Sequence, residues 1–217
     1  MRTTLTTLLA FVSAVVLLAQ PAAAGEIYGQ AGFPGVGLGY AQPLGPLFGL
    51  RVDAVTLGQR RDTRREEGID YDGRLKADRL ALLADWFPFA GRFRLTGGIT
   101  ANQYRLDLLA SGAGGSLTLG NTRYVTSADD RFAVQLRFPR STPYFGFGWG
   151  HQSGSGLRWS VDVGAMVGKA SVSYSLAGPI AQRAAQADID AELAELRSGV
   201  GRVRAVPQLS LGLGYSF

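Results

Sequence analysis

Strict alternation of apolar and polar residues near the carboxyl end of the sequence restricts the fold more than any other feature. Every second residue from 209 to 217 is large and apolar, namely Leu209, Leu211, Leu213, Tyr215 and Phe217. The residues between them are Ser or Gly, so one face is apolar and the other is polar or bare. A period of two is typical of a β-strand with two different faces. This one strand fits the edge of a soluble sandwich as well as the wall of a membrane barrel.

The same alternation recurs in four other segments, at residues 80–86, 93–101, 132–138 and 159–167. The positions between the apolar residues repeatedly carry Arg, Asp, Gln, Thr or Gly, which is typical of a crowded polar lumen. Apolar rows that face lipid require a closed sheet, because lipid offers no hydrogen-bond partner to an open edge. The sequence therefore predicts an all-β fold, a closed antiparallel transmembrane β-barrel.

Turn signals predict a barrel of eight to ten strands. Short connections on one side are expected at residues 43–47, 88–91 and 139–142. Long polar loops on the other side are expected at residues 61–73, 107–130 and 152–156. The alternation also changes face at Pro34-Gly35 and at Gly168-Lys169. Interpreted as tight turns, these changes give ten strands, which we favour; interpreted as β-bulges, they give eight.

One segment has a helical period. Between residues 179 and 204, the apolar residues Ile189, Leu193, Leu196 and Val200 fall on one stripe. Pro179 precedes the stripe, as is typical of a helix start. We predict a short loop helix near residues 180–200 that covers the mouth of the barrel.

The amino-terminal segment predicts export. Arg2 is followed by an apolar run from Leu5 to Ala19 and by the small residues Ala22 to Ala24, which is the pattern of a signal peptide. We expect residues 1–24 to be removed and residues 25–217 to form a single barrel domain. Beyond the signal peptide no apolar run approaches about 18 residues, so no membrane-spanning helix is expected.

Composition excludes several classes of function. The chain has no Cys and one His, which excludes thiolate sites and multi-His metal centres. The net charge of +5 comes almost entirely from Arg residues that are spread along apolar stretches, so nucleic acid is not an expected partner. We predict no cofactor and no metal, and the oligomeric state is not determined by the sequence.

Three blocks resemble a family of small outer-membrane β-barrels of Gram-negative bacteria, mostly of unassigned molecular function. They are LLADWFPFAGRFRL at residues 82–95, TPYFGFGWGH at residues 142–151, and the alternating segment from Val206 to Phe217. The resemblance implies the barrel fold, location in the cell outer membrane and outer-membrane lipid as a partner. The ending at Leu213, Tyr215 and Phe217 resembles the signal read by the barrel assembly machinery, which is therefore a second expected partner.

Charged residues on the other face of the strands are predicted to face the lumen. They are Arg51, Asp53, Arg79, Asp85, Arg92, Arg94, Arg131, Arg137, Arg158 and Asp162. Charges in a narrow bore must pair or contact water, because unpaired buried charge is costly. Paired side chains would plug the barrel, whereas an excess of Arg would favour anions in a pore. We favour the plugged case, with the loop acids Glu66 and Glu67 folded over the mouth.

A catalytic alternative rests on His151 and Ser153. Outer-membrane lipid A deacylases use a His-x-Ser pair with a carboxylate that orients the His. Here no Glu lies between Glu67 and Glu192, and Asp162 is predicted on another strand. We therefore predict a non-enzymatic outer-membrane barrel with a structural, surface-interaction or minor-channel role; the alternative is a lipid A-modifying hydrolase with His151 near the outer leaflet.

Overall fold

Antiparallel strands make up most of the structure. The computed structural model describes residues 25–66, 69–112, 115–199 and 204–217. The predicted signal peptide and Glu67 lie outside the described residues. The strands are β1 (Glu26–Phe33), β2 (Val36–Pro43), β3 (Phe48–Glu66), β4 (Ile69–Trp86), β5 (Phe93–Gly112), β6 (Ser116–Leu119), β7 (Thr122–Val125), β8 (Arg131–Arg137), β9 (Ser141–Trp149), β10 (Gly156–Val167), β11 (Ser171–Ala177) and β12 (Ala205–Ser216). The helices are α1 (Ile180–Arg183) and α2 (Gln186–Gly199).

The main sheet closes on itself. Each strand pairs antiparallel with the next in the order β1, β2, β3, β4, β5, β9, β10 and β12, and β12 pairs with β1. Among the described residues the ring therefore has eight strands, and the predicted closed antiparallel β-barrel is confirmed. Closure removes the open edges that an apolar surrounding would not tolerate.

Two of the long strands are interrupted, which corrects the preferred count of ten. β5 pairs with β9 along Phe93–Ala101 and with β8 along Arg105–Ser111, so β8 and β9 run in one line. β10 pairs with β9 and β11 pairs with β8, so β10 and β11 also run in one line. Residues 138–140 and 168–170 are therefore breaks within strands, and the turns predicted at residues 139–142 and 168–169 are wrong, whereas Pro34-Gly35 is a turn. A bulge and a tight turn both change the face of alternation, so the sequence pattern does not separate them.

The register of the ring is staggered. A paired residue of one strand has a directly opposed partner on the next strand. When these partners are followed from Glu26 on β1 through every strand of the ring, the last partner is Val206 on β12. Glu26 itself pairs with Ser216, so one circuit advances the register by ten residues (216 minus 206). Eight strands with this stagger tilt about 40° from the barrel axis and leave a bore that side chains can fill.

The connections differ between the two ends of the barrel. Residues 44–47, 87–92 and 150–155 form short connections at one end, here called the turn end. The β6–β7 hairpin and both helices lie at the other end, here called the loop end. The long loop predicted at residues 152–156 is wrong, because this segment joins β9 to β10 at the turn end. The loop predicted at residues 61–73 is also wrong, because β3 and β4 pair through Arg61–Arg74 to Glu66–Ile69.

The wall is higher on one side of the ring. At the loop end, β3, β4, β5, β8 and β11 extend beyond the short strands β1, β2 and β12, and we call this extension the upper wall. On β5, β8 and β11 the outward face of this extension is mainly polar and its inward face is apolar, the reverse of the rest of the barrel. The reversal corrects the assignment on β8, where Val134 and the adjoining Phe138 are buried inside while Arg131 and Arg137 are exposed. Such a wall is suited to lipid around its lower part and water around its upper part.

A small cap sits on the upper wall. It consists of the β6–β7 hairpin, α1 and α2, and it packs around buried Leu119, Ile180 and Ile189. The helices occupy the region in which the sequence predicts a loop helix. Within the described part of the chain, neither helix has the length and apolar character needed to cross a membrane.

Candidate functional site

A network of buried charges fills the lower half of the bore. Its central residue is Arg51 on β3, whose side chain is 1% exposed. Arg51 Nε lies 2.5 Å from Asp85 Oδ2 on β4, and Arg51 Nη2 lies 3.2 Å from Asp162 Oδ1 on β10. β3 and β10 are four positions apart in the ring of eight, so they lie on opposite walls. The Arg51–Asp162 pair therefore crosses the whole bore.

A second cation completes the pairing of the two carboxylates. Arg94 Nη2 lies 2.8 Å from Asp162 Oδ1, and its Nη1 lies 3.5 Å from Asp85 Oδ1. Arg94 also donates to Thr96 Oγ1 at 3.0 Å and to the Gly150 carbonyl at 3.2 Å. Each carboxylate thus contacts two guanidinium groups, which offsets the cost of removing the charges from water.

A second connection crosses the bore nearer the loop end. Arg79 on β4 donates from Nη1 to Gln208 Oε1 on β12 at 2.8 Å, and these strands are also four positions apart. Arg79 Nη2 lies 3.6 Å from Asp53 Oδ2, and its guanidinium lies 5.7 Å from the centre of the Tyr144 ring. Tyr28 donates its hydroxyl hydrogen to Asp53. We call the Arg51–Asp162 and Arg79–Gln208 contacts the two crossbars.

Little free space remains between the crossbars. The void lined by Asp53, Arg79, Asp162 and Gln208 has a volume of about 10 Å³. That volume holds about one water molecule. The side chains of the crossbars therefore close the bore of the barrel at this level. The predicted role of the loop acids Glu66 and Glu67 falls on side chains that lie outside the described residues.

The predicted lumen charges divide into three groups. The side chains of Arg51, Asp53, Arg79, Asp85, Arg94 and Asp162 lie buried inside the ring. Arg158 is partly buried near the turn end, where it donates to the Gln152 carbonyl at 3.5 Å. Arg92, Arg131 and Arg137 are exposed and do not line the bore. The predicted excess of Arg in the lumen is therefore wrong, because those three belong to the turn end or to the outward face of the upper wall.

Glu26 is a buried charge that the sequence analysis missed. It is 2% exposed on β1, and its Oε2 lies 3.1 Å from His151 Nδ1. The alternation of Glu26, Tyr28 and Gln30 with Ile27 is the signal that could have placed it inside. Among the described residues inside the ring, three buried Arg face four buried carboxylates once Glu26 is included, so this part of the interior favours neither sign strongly.

His151 occupies a sealed position at the turn end. Its ring lies 4.2 Å from the ring of Tyr28, and its Nε2 lies 4.0 Å from Asp162 Oδ2. Ser153 is exposed and donates its hydroxyl hydrogen to the Gly45 carbonyl at 3.2 Å. No hydrogen bond joins Ser153 to His151 among the residues that the structure describes. The predicted position of this pair at the loop end is wrong, because residues 150–155 connect β9 and β10 at the turn end.

The outward face at the level of the network is a belt of exposed apolar side chains. Leu38 is 70% exposed, Leu211 is 66% exposed and Ile99 is 60% exposed. Large apolar side chains follow one another around the ring at every second position, including Leu209, Leu213, Tyr215 and Phe217 on β12 and the residue after it. Monomeric soluble proteins rarely expose a contiguous apolar surface of this extent.

Solved structures share this architecture. The structure is similar to that of CarO from Acinetobacter baumannii, with a TM-score of 0.57 and 18% identity over 92% of this chain and 100% of that chain. CarO2 from the same organism is similar to the same extent, with a TM-score of 0.57, 18% identity and the same coverage. The chain has the fold of an outer-membrane β-barrel. The resemblance to small bacterial outer-membrane barrels is thereby confirmed at the level of the fold.

Other comparisons add no closer assignment. A major outer membrane protein from Thermus thermophilus has a TM-score of 0.47 and 17% identity over 90% of this chain and 100% of that chain. No protein-family model and no curated protein matches the sequence. Among the described residues, no group of three or more His, Cys, Asp or Glu side chains could hold a metal ion.

The cap is tied to the barrel wall through Asp130, just before β8. Asp130 Oδ1 accepts the backbone N–H of Ile180 at 2.7 Å, and Oδ2 accepts the backbone N–H of Ser127 at 2.8 Å. Burial alone raises the pKa of the Asp130 carboxyl group, but these N–H groups and Arg183 outweigh burial and hold its pKa below the ordinary value. The carboxylate therefore stabilises the folded cap.

We expect the cap to loosen at acid pH because of Asp130. A lowered folded pKa gives stabilisation that is fully present above the ordinary Asp pKa of about 4 and is lost as pH falls through the folded value. Hydrogen exchange at Ile180 and Ser127 should therefore accelerate below about pH 4, beyond the intrinsic change in exchange rate. In Asp130→Asn, protection should already be low at neutral pH and should depend less on pH. An unchanged pH dependence in Asp130→Asn would show that other groups control the cap.

Proposed function

We propose that this chain is an integral outer-membrane barrel that anchors the cap at the cell surface and does not conduct. The observation that carries the proposal is the pair of crossbars, which join opposite walls and leave a void of about 10 Å³. A barrel of eight strands is usually filled by its own side chains. The role is therefore structural or surface-interacting, and a minor-channel role is not supported by the closed bore.

The apolar belt supports the membrane part of the proposal. On β5 the outward residues are apolar or Gly from Phe93 to Ala101, and Gln103 follows. At a tilt of about 40°, the rise from Phe93 to Gln103 is about 25 Å, which matches the apolar band of outer-membrane barrels. Such barrels keep short turns on the periplasmic side and long loops outside. The turn end is accordingly periplasmic, and the cap faces the exterior.

We expect purified protein in planar lipid bilayers to give no steady conductance. The paired variant Arg51→Ser with Asp162→Ser removes both side chains of one crossbar, so neither of them is left without the other. This variant should show measurable conductance. Arg131→Ser with Asp188→Ser removes the same charges outside the bore and should remain closed. Steady, anion-selective conductance of the unmodified protein that changes in Arg94→Gln would make the protein a channel.

We also propose that the barrel is not an enzyme. Both ring nitrogens of His151 face carboxylates, Glu26 and Asp162, within the closed interior. Ser153 lies outside that interior and at the end that we place in the periplasm, away from the outer leaflet. A hydrolase that used this pair would need both residues on one accessible surface. Hydrolysis of lipid A that disappears in both His151→Gln and Ser153→Ala would support the hydrolase instead.

A further proposal concerns biogenesis: the outward row Leu213, Tyr215 and Phe217 is recognised by the barrel assembly machinery. These side chains are 58%, 60% and 59% exposed and lie on one face, where a partner can reach them before closure. We expect Phe217→Asn to lower the amount of heat-modifiable barrel in the outer membrane while export continues. Leu209→Asn is the control on the same face. Equal losses in the two variants would show that Phe217 acts only as another lipid-facing residue.

A further inference from the structure

A row of cations crosses the outward face of the upper wall. Lys76 on β4 lies directly opposite Arg105 on β5, and Arg105 lies directly opposite Arg137 on β8. Arg140 and Lys169, at the two strand interruptions beside this row, are exposed as well. We call these five residues the basic belt. Like charges opposite each other on neighbouring strands destabilise a sheet, so the row requires a compensating feature.

Carboxylates compensate only part of the belt. Lys76 Nζ lies 3.3 Å from Asp78 Oδ2, and Arg105 Nε lies 2.7 Å from Asp107 Oδ2. In the part of the chain that the structure describes, the side chains of Arg137, Arg140 and Lys169 make no ion pair. Five cations therefore share two carboxylates, and the uncompensated charge is concentrated where β8 and β10 end.

The belt lies just above the apolar band. Lys76 is ten residues from Trp86 along β4, and Arg137 is twelve residues from Trp149 along β8 and β9. With a rise of about 3.3 Å per residue and a tilt of about 40°, these cations lie about 25–30 Å above the aromatic residues of the turn end. Outward residues below the belt, such as Leu80 and Ile99, are exposed and apolar. The wall thus presents cations at headgroup level directly above a surface suited to acyl chains.

We propose that the basic belt binds the phosphate groups of a phosphorylated lipid, lipid A, in the outer leaflet. This inference rests on the proposed function, because it needs the barrel to lie in the outer membrane. Guanidinium groups bind phosphate through paired hydrogen bonds, and a Lys ammonium adds a point charge. The continuous apolar surface below the belt favours a lipid over free phosphate, since a lipid contacts both parts of the wall.

Native mass spectrometry of the full barrel in nanodiscs tests the proposal. The probes are bis-phosphorylated lipid A and fully dephosphorylated lipid A with the same acyl chains, with inorganic phosphate as a competitor. The belt variant Arg137→Gln, Arg140→Gln, Lys169→Gln removes the unpaired cations and leaves no carboxylate without its partner. The control variant Arg123→Gln, Arg131→Gln, Arg197→Gln changes the net charge equally on the cap and the top of the wall.

We expect the unmodified protein and the control to retain bis-phosphorylated lipid A. The belt variant should bind this lipid at least about tenfold more weakly, because it loses at least one charge-assisted contact. Equal retention of the dephosphorylated lipid, or equal loss in the control, would overturn the proposal. Displacement of the lipid by an equal concentration of inorganic phosphate would assign the belt to free phosphate instead. If the barrel inserts and shows heat modifiability but fails this test, only the lipid site is disproved. If the folded chain is recovered in the fraction without membranes, the proposed function is disproved.

Discussion

Replacement of Arg51 by Met is expected to destabilise the barrel by about 3–5 kcal/mol, the cost of breaking a buried ion pair by removing one partner. Arg51 is almost fully buried and contacts Asp85 at 2.5 Å and Asp162 at 3.2 Å, so the variant leaves both carboxylates with Arg94 as their main counterion. The measurement is reversible unfolding in urea of protein folded into lipid vesicles. Among the described residues of the bore, Arg51 is the one cation that contacts two carboxylates and also forms a crossbar, so its loss should have the largest effect.

A second substitution distinguishes unpaired charge from lost packing. The double variant Arg51→Met with Asp85→Asn should lose less stability than Arg51→Met, because one uncompensated carboxylate becomes neutral while Asp162 keeps Arg94 at 2.8 Å. Arg131→Met, on the exposed face of the upper wall, should change stability by less than about 0.5 kcal/mol. If the double variant were less stable than the single variant, the network would depend on shape and not on charge balance.

The second large effect is expected at the lipid-facing surface. Ile99→Arg places a charge near the middle of the outward row of β5 and should cost about 2–4 kcal/mol, the penalty for Arg at the bilayer midplane. Gln103→Arg is the matched control, because Gln103 lies on the same strand and face above the apolar band. It should cost about 0–1 kcal/mol in the same vesicle unfolding experiment. Similar losses in the two variants would contradict the position of the membrane.

Thr100 is not a suitable control for this experiment, although it is adjacent and faces inward. Its side chain is buried, and its hydroxyl lies 2.8 Å from that of Thr142 on β9. Arg at this position would have no room inside the closed bore, and overpacking costs about 1–3 kcal/mol. Thr100→Ser keeps the hydroxyl and should be nearly neutral, which tests the packing without adding charge.

The sequence predicts the faces of strands that lie in the apolar band and fails where the wall leaves it. On β5 and β12 the apolar row faces outward, as the alternation indicates. On β8 the same alternation has the opposite meaning, because Phe132 and Val134 pack inside the upper wall under the cap. A period of two specifies that two faces differ, but the surroundings decide which face is apolar. For the same reason the polar stretch at residues 61–73 predicts a loop, although the structure has paired strands there.

The sequence predicts six of the charged residues in the bore but not how they pair. Arg51, Asp85 and Asp162 follow from parity along β3, β4 and β10, because each alternates with lipid-facing residues. That Arg51 reaches across to Asp162 follows only from the ring of eight and its stagger, which depend on how the interruptions at Pro139 and Gly168 are interpreted. Glu26 was missed because β1 is short and its outward row is broken by small residues.

The crossbars also bear on the order in which this barrel can form. Arg51 and Asp162 are 111 residues apart in the chain, and Arg79 and Gln208 are 129 apart. Each cation belongs to the first half of the strands and each partner to the last strands to be synthesised. In a partly assembled sheet Arg51 would keep Asp85 and Arg79 would keep Asp53, but both cations would lack their contacts to the opposite wall. The network of the bore is therefore expected to be completed only when the last strands close the ring.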